Sequence, residues 1–439
     1  MTLARRILLL LVILLLGISL SSTARAQGHT VDVLTVKGAI NPVLVDYIKR
    51  GINHAEDNNA QAVIIQLDTP GGLDSAMRDI VQLIVNAHVP VVVFVSPSGA
   101  RAASAGVFIT IAAHVAVMAP DTAIGAAHPV SIGGDTQTPS EPTSAEEEKV
   151  LNDAAAYIRS LAASRGRNLD WAEKAVRQSV SATETEALDL NIIDMISPDL
   201  PSLLRQLDGR QVTLLNGQTV TLYTADASVT VIPMSFVEKF LYTISDPNIA
   251  YILMSVAMLG IMAEIFNPGL IFPGIVGGIC LLLAFYSLGV LPVNYAGVLL
   301  IILAFGLFVG EALTAGFGLF FGGGLVSLII GSLILFHGAP SAFRVDWRVL
   351  GTVIILLALG MGFVVQRAVK IHRKQATTGR EELIGKTALV KQALNPEGMV
   401  FFKGEHWEAI SEEGEIKVGE TVVIKRLDGL TLYVERKKQ

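Results

Sequence analysis

The chain has 439 residues, 51% of them hydrophobic and 16% charged, with a formal net charge of −6 and a mean hydropathy of +0.55. That length allows two or three domains, and that apolarity excludes a purely soluble protein. The charge is spread along the chain and points away from a polyanionic partner, and the single cysteine, Cys280, excludes a disulfide framework.

Taken in order, Arg5-Arg6, an apolar run to Leu20 and Ala24-Arg25-Ala26 form a charged start, an apolar core and a small-residue cleavage site. Residues 1–26 therefore read as a secretory signal cut after Ala26, or as an uncleaved anchor of the same topology, and the domain beyond them is exported. Val31–Val36 alternates as a half-buried strand, and Asn41-Pro42 starts an amphipathic helix with Val43, Leu44, Tyr47, Ile48 and Ile52 on one face. Ala62–Leu67 is a second strand, ended by Asp68-Thr69-Pro70-Gly71-Gly72, and a helix spaced over Gly72–Ala87 leads to a third strand, Val91–Val95. Strands alternating with helices over short connections predict a parallel sheet with right-handed crossovers, and ligands bind such sheets at the carboxyl ends of the strands.

Both Gly71-Gly72 and Ser104 fall at such ends. Ala102-Ala103-Ser104-Ala105-Gly106 opens an apolar segment running to His114, predicted as a buried helix. A serine there holds a hydroxyl over the sheet edge beside free helix N–H groups that suit an oxyanion. Equally, it caps the helix while its alanines permit close packing. A tetrahedral intermediate needs unobstructed N–H donors, and Gly72 and Ala105 offer two; an ordinary Pro-Gly turn is the other reading of Gly71-Gly72. A nucleophilic serine also needs a base. His128, in Ala126-Ala127-His128-Pro129, is one candidate. Lys149 is the other, beyond a polar, Pro/Gly-containing loop at Ser131–Thr143. Ser144-Ala145-Glu146-Glu147 reads as a capping box that starts the helix carrying Lys149. A lysine acting as a base must lose its charge, which Glu146, Glu147 and Glu148 oppose and burial against an apolar wall favours.

Further on, Ser181–Leu188 reads as a capped helix and Ile192-Ile193-Asp194 as the approach to a short strand. Gln211–Tyr223 alternates like a hairpin around Asn216-Gly217, and Asp226–Asp246 reads as a linker. Five apolar runs come next, at about Ile249–Phe266, Leu270–Leu291, Tyr295–Ala312, Phe317–Phe336 and Val349–Val365, each near the length a bilayer needs. Glu264 and Glu311 lie near run ends and read as wet, structural acids. After the last run, Arg367, Lys370, Arg373 and Lys374 place the C-terminus inside. Residues 380–439 carry five short alternating runs, a small barrel of OB type. Its acids balance its bases, so no nucleic-acid groove is expected.

The series LDTPGG (Leu67–Gly72), SGARAASAG (Ser98–Gly106), MAPDTAIGAAHP (Met118–Pro129) and KVLNDAAAYIRSLAASRGRN (Lys149–Asn168) resembles the NfeD family in its long form. The resemblance implies a ClpP/crotonase-like spiral of βαβ units (residues 27–225), a linker (226–246), a transmembrane domain of about five helices (247–367) and an OB-type C-terminal domain (380–439). It implies a membrane-bound serine endopeptidase with Ser104 as nucleophile and Lys149 as general base. Gly72 and Ala105 N–H groups would form the oxyanion hole, with Gly71 supporting the turn. Soluble ClpP uses a Ser-His-Asp triad, but Arg177 and Gln178 stand where its acid would be, so His128 reads as lining the cleft. No metal or cofactor is part of this expectation. A stomatin-like (SPFH) membrane protein is the implied substrate or partner, alongside a peptide substrate, the lipid bilayer and a homo-oligomeric state. The location implied is the plasma (inner) membrane, with the protease domain outside and the barrel cytoplasmic. A non-enzymatic scaffold for stomatin-like assemblies is the alternative, and acyl-CoA chemistry a remote third.

Overall fold

The computed structural model describes residues 29–129, 145–266, 269, 271–314, 318–337, 339, 343–372 and 383–437. The expected signal segment, the loop at 131–143, Ser144 of the expected capping box, Arg373 and Lys374 lie outside the described residues.

In the first domain the chain forms β1 (Thr30–Lys37), α1 (Pro42–Asp57), β2 (Ala62–Asp68), α2 (Asp74–Val85), β3 (Val91–Val95), β4 (Arg101–Ala103) and α3 (Ala105–Ala112). Then come β5 (Val115–Met118), β6 (Ala123–Gly125), α4 (Ala145–Ser164), α5 (Leu169–Arg177), β7 (Ser181–Thr183), α6 (Glu184–Asp189), β8 (Met195–Ile196) and α7 (Leu200–Leu207). A hairpin of β9 (Gln211–Thr213) and β10 (Thr219–Thr221), then β11 (Ser228–Val231) and α8 (Phe236–Ile244), complete it. The main sheet has the order β11-β1-β2-β3-β5-β8 and its pairs are parallel. Of its inner strands, β3 (VVVFV) and β5 (VAVM) are apolar and buried throughout because both faces are covered. Val63, Ile65, Val91 and Val93 pack toward α1 to α5. Ile64, Val92, Phe94, Val115 and Val117 pack toward Leu203, Leu204 and Leu207 of α7 and the hairpin. A second sheet, β4-β6-β7, stands over the carboxyl end of β2.

Several boundaries differ from the sequence expectation, each for a tertiary reason. Arg101–Ala103 is a strand, not the first turn of α3, because it pairs with β6 and bridges Thr69. The helix after the paired glycines starts at Asp74, since Gly72 bridges Ile40. Ser181–Thr183 pairs with β6, and the helix starts behind Thr183, whose hydroxyl forms a capping box with Glu186. The stretch read as a linker, Asp226–Asp246, holds an edge strand and a helix: β11 pairs with β1 along the edge of the sheet, with Val229 and Val231 exposed.

All five expected apolar runs are helical: α9 (Pro247–Phe266), α10 (Ile271–Val290), α11 (Tyr295–Thr314), α12 (Leu319–Leu335) and α13 (Trp347–His372). Of these, α9 and α10 have the length and apolarity to cross a bilayer; the apolar parts of the others, Tyr295–Glu311, Leu319–Leu335 and Trp347–Gly360, are shorter. Small residues let backbones meet: a methyl on Gly260 would sit 2.5 Å from the Pro273 carbonyl oxygen and 2.9 Å from Gly277 Cα. The Glu311 carboxylate is buried and accepts N–H groups of Gly318, Phe320 and Phe321 at 2.7, 3.0 and 3.2 Å, so it caps α12.

The C-terminal unit is a closed barrel of β12 (Thr387–Gln392), β13 (Glu397–Phe402), β14 (Glu405–Ser411), β15 (Thr421–Asp428) and β16 (Thr431–Arg436), in the order β12-β13-β14-β16-β15. Val390, Val400, Ala409, Val422, Ile424, Leu432 and Val434 fill it. Phe402 is buried there, and Trp407 packs against the same core half-buried.

Candidate active site

The carboxyl end of β2 and the start of α3 meet at a cavity of about 500 Å³. Asp68 ends β2, and Thr69 then bonds sideways to β4: its N–H donates to the Arg101 carbonyl, and its own carbonyl accepts from Ala103 N–H. The fully buried Thr69 hydroxyl accepts Gly71 N–H at 3.0 Å, which closes the turn. Gly71 takes φ +120°, a conformation that only glycine adopts without strain. A methyl group there would sit 2.7 Å from Ser104 Cβ and 3.1 Å from its Oγ. The glycine thus serves both the turn and the close approach of the serine.

Ser104 itself has φ 53° and ψ −113°, an uncommon conformation for a residue with a side chain. Its N–H donates to the Gly125 carbonyl, which fixes the backbone. It stands at the N-cap position of α3, yet its hydroxyl makes no capping bond. The capping role open from sequence is therefore not the one the side chain fills.

Two backbone donors sit beside it. Gly72 bridges Ile40 in the parallel sense: Ile40 N–H donates to the Gly71 carbonyl, and Leu73 N–H donates to the Ile40 carbonyl. In such a ladder the bridging residue's own N–H points to the opposite side, and no acceptor meets Gly72 N–H among the described residues. Gly72 has no room for a side chain, since a methyl group would collide with the Ile40 carbonyl oxygen. Ala105 is the first residue of α3, and its N–H is likewise unmatched among the described residues.

Lys149 lines the same cavity as Ser104, Ala105 and Gly72. It lies in the second turn of α4, where Lys149, Val150, Asp153 and Ala154 share the face turned to the cavity. Its side chain is exposed, and no hydrogen bond or ion pair holds it among the described residues. Met77, Phe108, Ala127, Pro129 and Pro292 supply apolar wall. His128 is not among the lining residues, although Ala127 and Pro129 are. Its Nδ1–H donates to the Val176 carbonyl at 3.0 Å, so a carbonyl rather than a carboxylate orients the ring.

Three supports were not legible in the sequence. Arg78 of α2 bonds to Asp74 at 2.8 Å and to Asp153 of α4 at 2.5 Å, and it lies over the Tyr157 ring at 4.6 Å, tethering the Lys149 helix. Arg167 is buried at the far end of α3 and donates to the carbonyls of Thr110, Ile111 and Ala113, which ends that helix. Asp194 holds Arg167 at 2.7 Å and Arg210 at 2.6 Å. Burial works against the Arg167 charge and lowers its pKa, while Asp194 offsets part of that cost.

A serine in a strained turn, two unmatched N–H groups and a lysine around one cavity, joined to apolar helices and a barrel, define a serine-centred α/β domain on a membrane domain. The chain belongs to the NfeD family, and it is a membrane protein. Family models match the NfeD1b N-terminal domain at residues 30–197, the NfeD integral membrane domain at 248–367 and the NfeD-like C-terminal, partner-binding domain at 380–436. It is 39% identical, over an alignment of 447 positions that covers 99% of each chain, to the membrane-bound protease PH1510 of Pyrococcus horikoshii. It is 26% identical to the membrane protein NfeD1b of Bacillus subtilis, over 96% of this chain and 95% of the relative. Among solved structures, one of a 1510-N membrane-bound stomatin-specific protease variant with a substrate peptide is 38% identical. It covers 49% of this chain and 98% of its own, with a TM-score of 0.45.

Proposed function

We propose that the chain is a membrane-bound serine endopeptidase working through a Ser104–Lys149 dyad. The observation that carries this reading is Ser104 itself: a strained serine that caps nothing, against Gly71, in a cavity lined also by Lys149. The relationship to a membrane-bound protease over the whole chain supports it.

In this mechanism a peptide segment fills the cavity and displaces water from Lys149. Met77, Phe108 and Pro129 line the same cavity, and apolar walls of this kind favour a lysine that accepts a proton. Ser104 Oγ attacks the peptide carbonyl carbon while its proton passes to Lys149 Nζ. The carbonyl oxygen becomes an oxyanion held by Gly72 and Ala105 N–H groups. Collapse breaks the C–N bond, and the ammonium of Lys149 returns the proton to the leaving amine. Water, deprotonated by Lys149, then attacks the acyl-enzyme, and the proton goes back to Ser104. The apolar walls favour apolar segments, and a stomatin-like membrane protein is the substrate or partner that the family resemblance brings. We also propose that α9 to α13 are five membrane crossings with the α/β domain outside and the barrel, read as an OB fold, inside.

The test is cleavage of an apolar peptide by the full chain in detergent micelles. Ser104→Ala and Lys149→Ala each lower kcat by about three orders of magnitude or more. Lys149→Arg does not rescue, because a guanidinium does not deprotonate. A fluorophosphonate labels the parent chain but not Ser104→Ala. Undiminished cleavage by either alanine variant refutes the dyad, and cellular rescue by Ser104→Ala would favour the scaffold instead.

A further inference from the structure

The helix α8 falls between the stretches that the family models match, 30–197 and 248–367. It is divided lengthwise. One side is fastened to the α/β domain: Glu238 takes a two-point bond from Arg50 at 2.8 and 2.7 Å, and Tyr242 Oη donates to the Lys37 carbonyl at 2.8 Å. Arg50 holds the Glu238 carboxyl down to about 2, so that fastening persists at any physiological pH. The other side carries Phe236, Val237 and Phe240, which are 85%, 60% and 42% exposed. The two phenylalanine rings stack on each other. An apolar strip of this kind, on a helix otherwise fixed, requires a cover.

Its surroundings say what the cover is. Only Ser245 and Asp246 separate α8 from α9, whose first turn Asp246 caps through Asn248 and Ile249 N–H groups. Ser287, near the end of α10, donates to the Ile244 carbonyl at 2.6 Å. Asn248 at the start of α9 accepts the Asp346 N–H just before α13, and Asn294 N–H donates to the Leu335 carbonyl at the end of α12. One end of the apolar helices therefore lies beside α8. At that same end stand Tyr295 and Trp347, each 75% exposed. Aromatic rings at helix ends mark the level of a membrane–water interface.

We propose that α8 lies in the plane of the bilayer surface, with Phe236, Val237 and Phe240 in the boundary between headgroups and acyl chains. The occupant of this face is phospholipid. Two consequences reach the cavity. Tyr242 fixes the segment at Lys37, three residues before Ile40, the residue that pins Gly71 and Leu73 beside Ser104. In addition, Pro292, between α10 and α11, forms part of the cavity wall. The cavity is thus held at the membrane surface. This proposal rests on the membrane reading of α9 to α13 and not on the peptidase chemistry.

The experiment uses the full chain with Cys280→Ser, carrying one spin-labelled cysteine at a time, in nanodiscs of phosphatidylcholine and phosphatidylglycerol. Phe236→Cys and Phe240→Cys test the strip; Leu282→Cys on α10 and Leu215→Cys in the hairpin, 71% and 65% exposed, are the lipid and water references. At 236 and 240 the ratio of oxygen to nickel-chelate accessibility should exceed that at 215 by about fivefold, as for an interfacial helix. A water-like ratio at 236 and 240 with a lipid-like one at 282 overturns the proposal alone. Dipolar broadening between labels at 236 overturns it in favour of a second copy. A water-like ratio at 282 as well overturns the membrane reading on which it rests.

Discussion

At Ser104, a side chain and a glycine compete for one volume. The turn after β2 requires a positive φ at Gly71, and Ser104 occupies the space any Cβ there would need. Gly71→Ala therefore costs about 1–3 kcal/mol in backbone strain and displaces Ser104. The expected outcome is a folded protein, by circular dichroism, with peptide cleavage lowered about a hundredfold. Full activity in that variant would show that the serine does not depend on this contact. This part of the site was open to sequence reading because it is local: Pro70-Gly71-Gly72 and Ala102–Gly106 each show their small residues in a row. His128 was a plausible base on spacing alone, and only the Val176 carbonyl against its Nδ1 shows how the ring is engaged.

The helix α3 connects the site to the interior. Its N-terminus presents Ser104 and Ala105, and its last carbonyls are gathered by Arg167, which Asp194 holds from the opposite side. Removing Arg167 leaves those buried carbonyls without their donor and Asp194 with Arg210 as its remaining cation. Arg167→Ala should destabilise the domain by about 3–5 kcal/mol, the range for breaking a buried ion pair, read as a lowered unfolding midpoint. Next to it, His114 accepts Val91 N–H at its Nδ1. Burial first, then Arg165 and Arg167, lower its pKa from 6.5 to about 3. Such a group is neutral in the native state and charges on unfolding. Its contribution is complete above 6.5 and is lost as the pH falls toward 3, on the order of 5 kcal/mol in all. His114→Asn keeps an acceptor for Val91 and should flatten the stability loss between pH 7 and pH 4 in thermal melts. An unchanged pH slope would assign that loss to other groups.

Across the whole molecule, the division of labour tracks composition. The barrel closes its own sheet around its own core, so a chain ending before residue 380 should keep cleaving a free peptide at the parent rate. The same truncation should abolish capture of a stomatin-like partner in a pull-down, as the description of the matched C-terminal domain as partner-binding suggests. Loss of peptide cleavage on truncation would instead make the barrel part of the catalytic unit.

Sequence alone determined whatever repeats at short range. The apolar strands and helix faces of the first domain, the five apolar helices, the five barrel strands and the glycine and serine turns all carry their pattern within a few residues. The tertiary structure decided what needs distant partners. Three-residue strands such as β4, β6 and β7 are too short for any periodicity and exist because their edges pair. The roles of Arg78, Arg167 and Asp194 come from charges that are far apart in the chain and meet only after folding. The stretch around β11 and α8 reads as a linker because what fastens it, β1, Arg50 and the Lys37 carbonyl, lies about two hundred residues earlier in the chain.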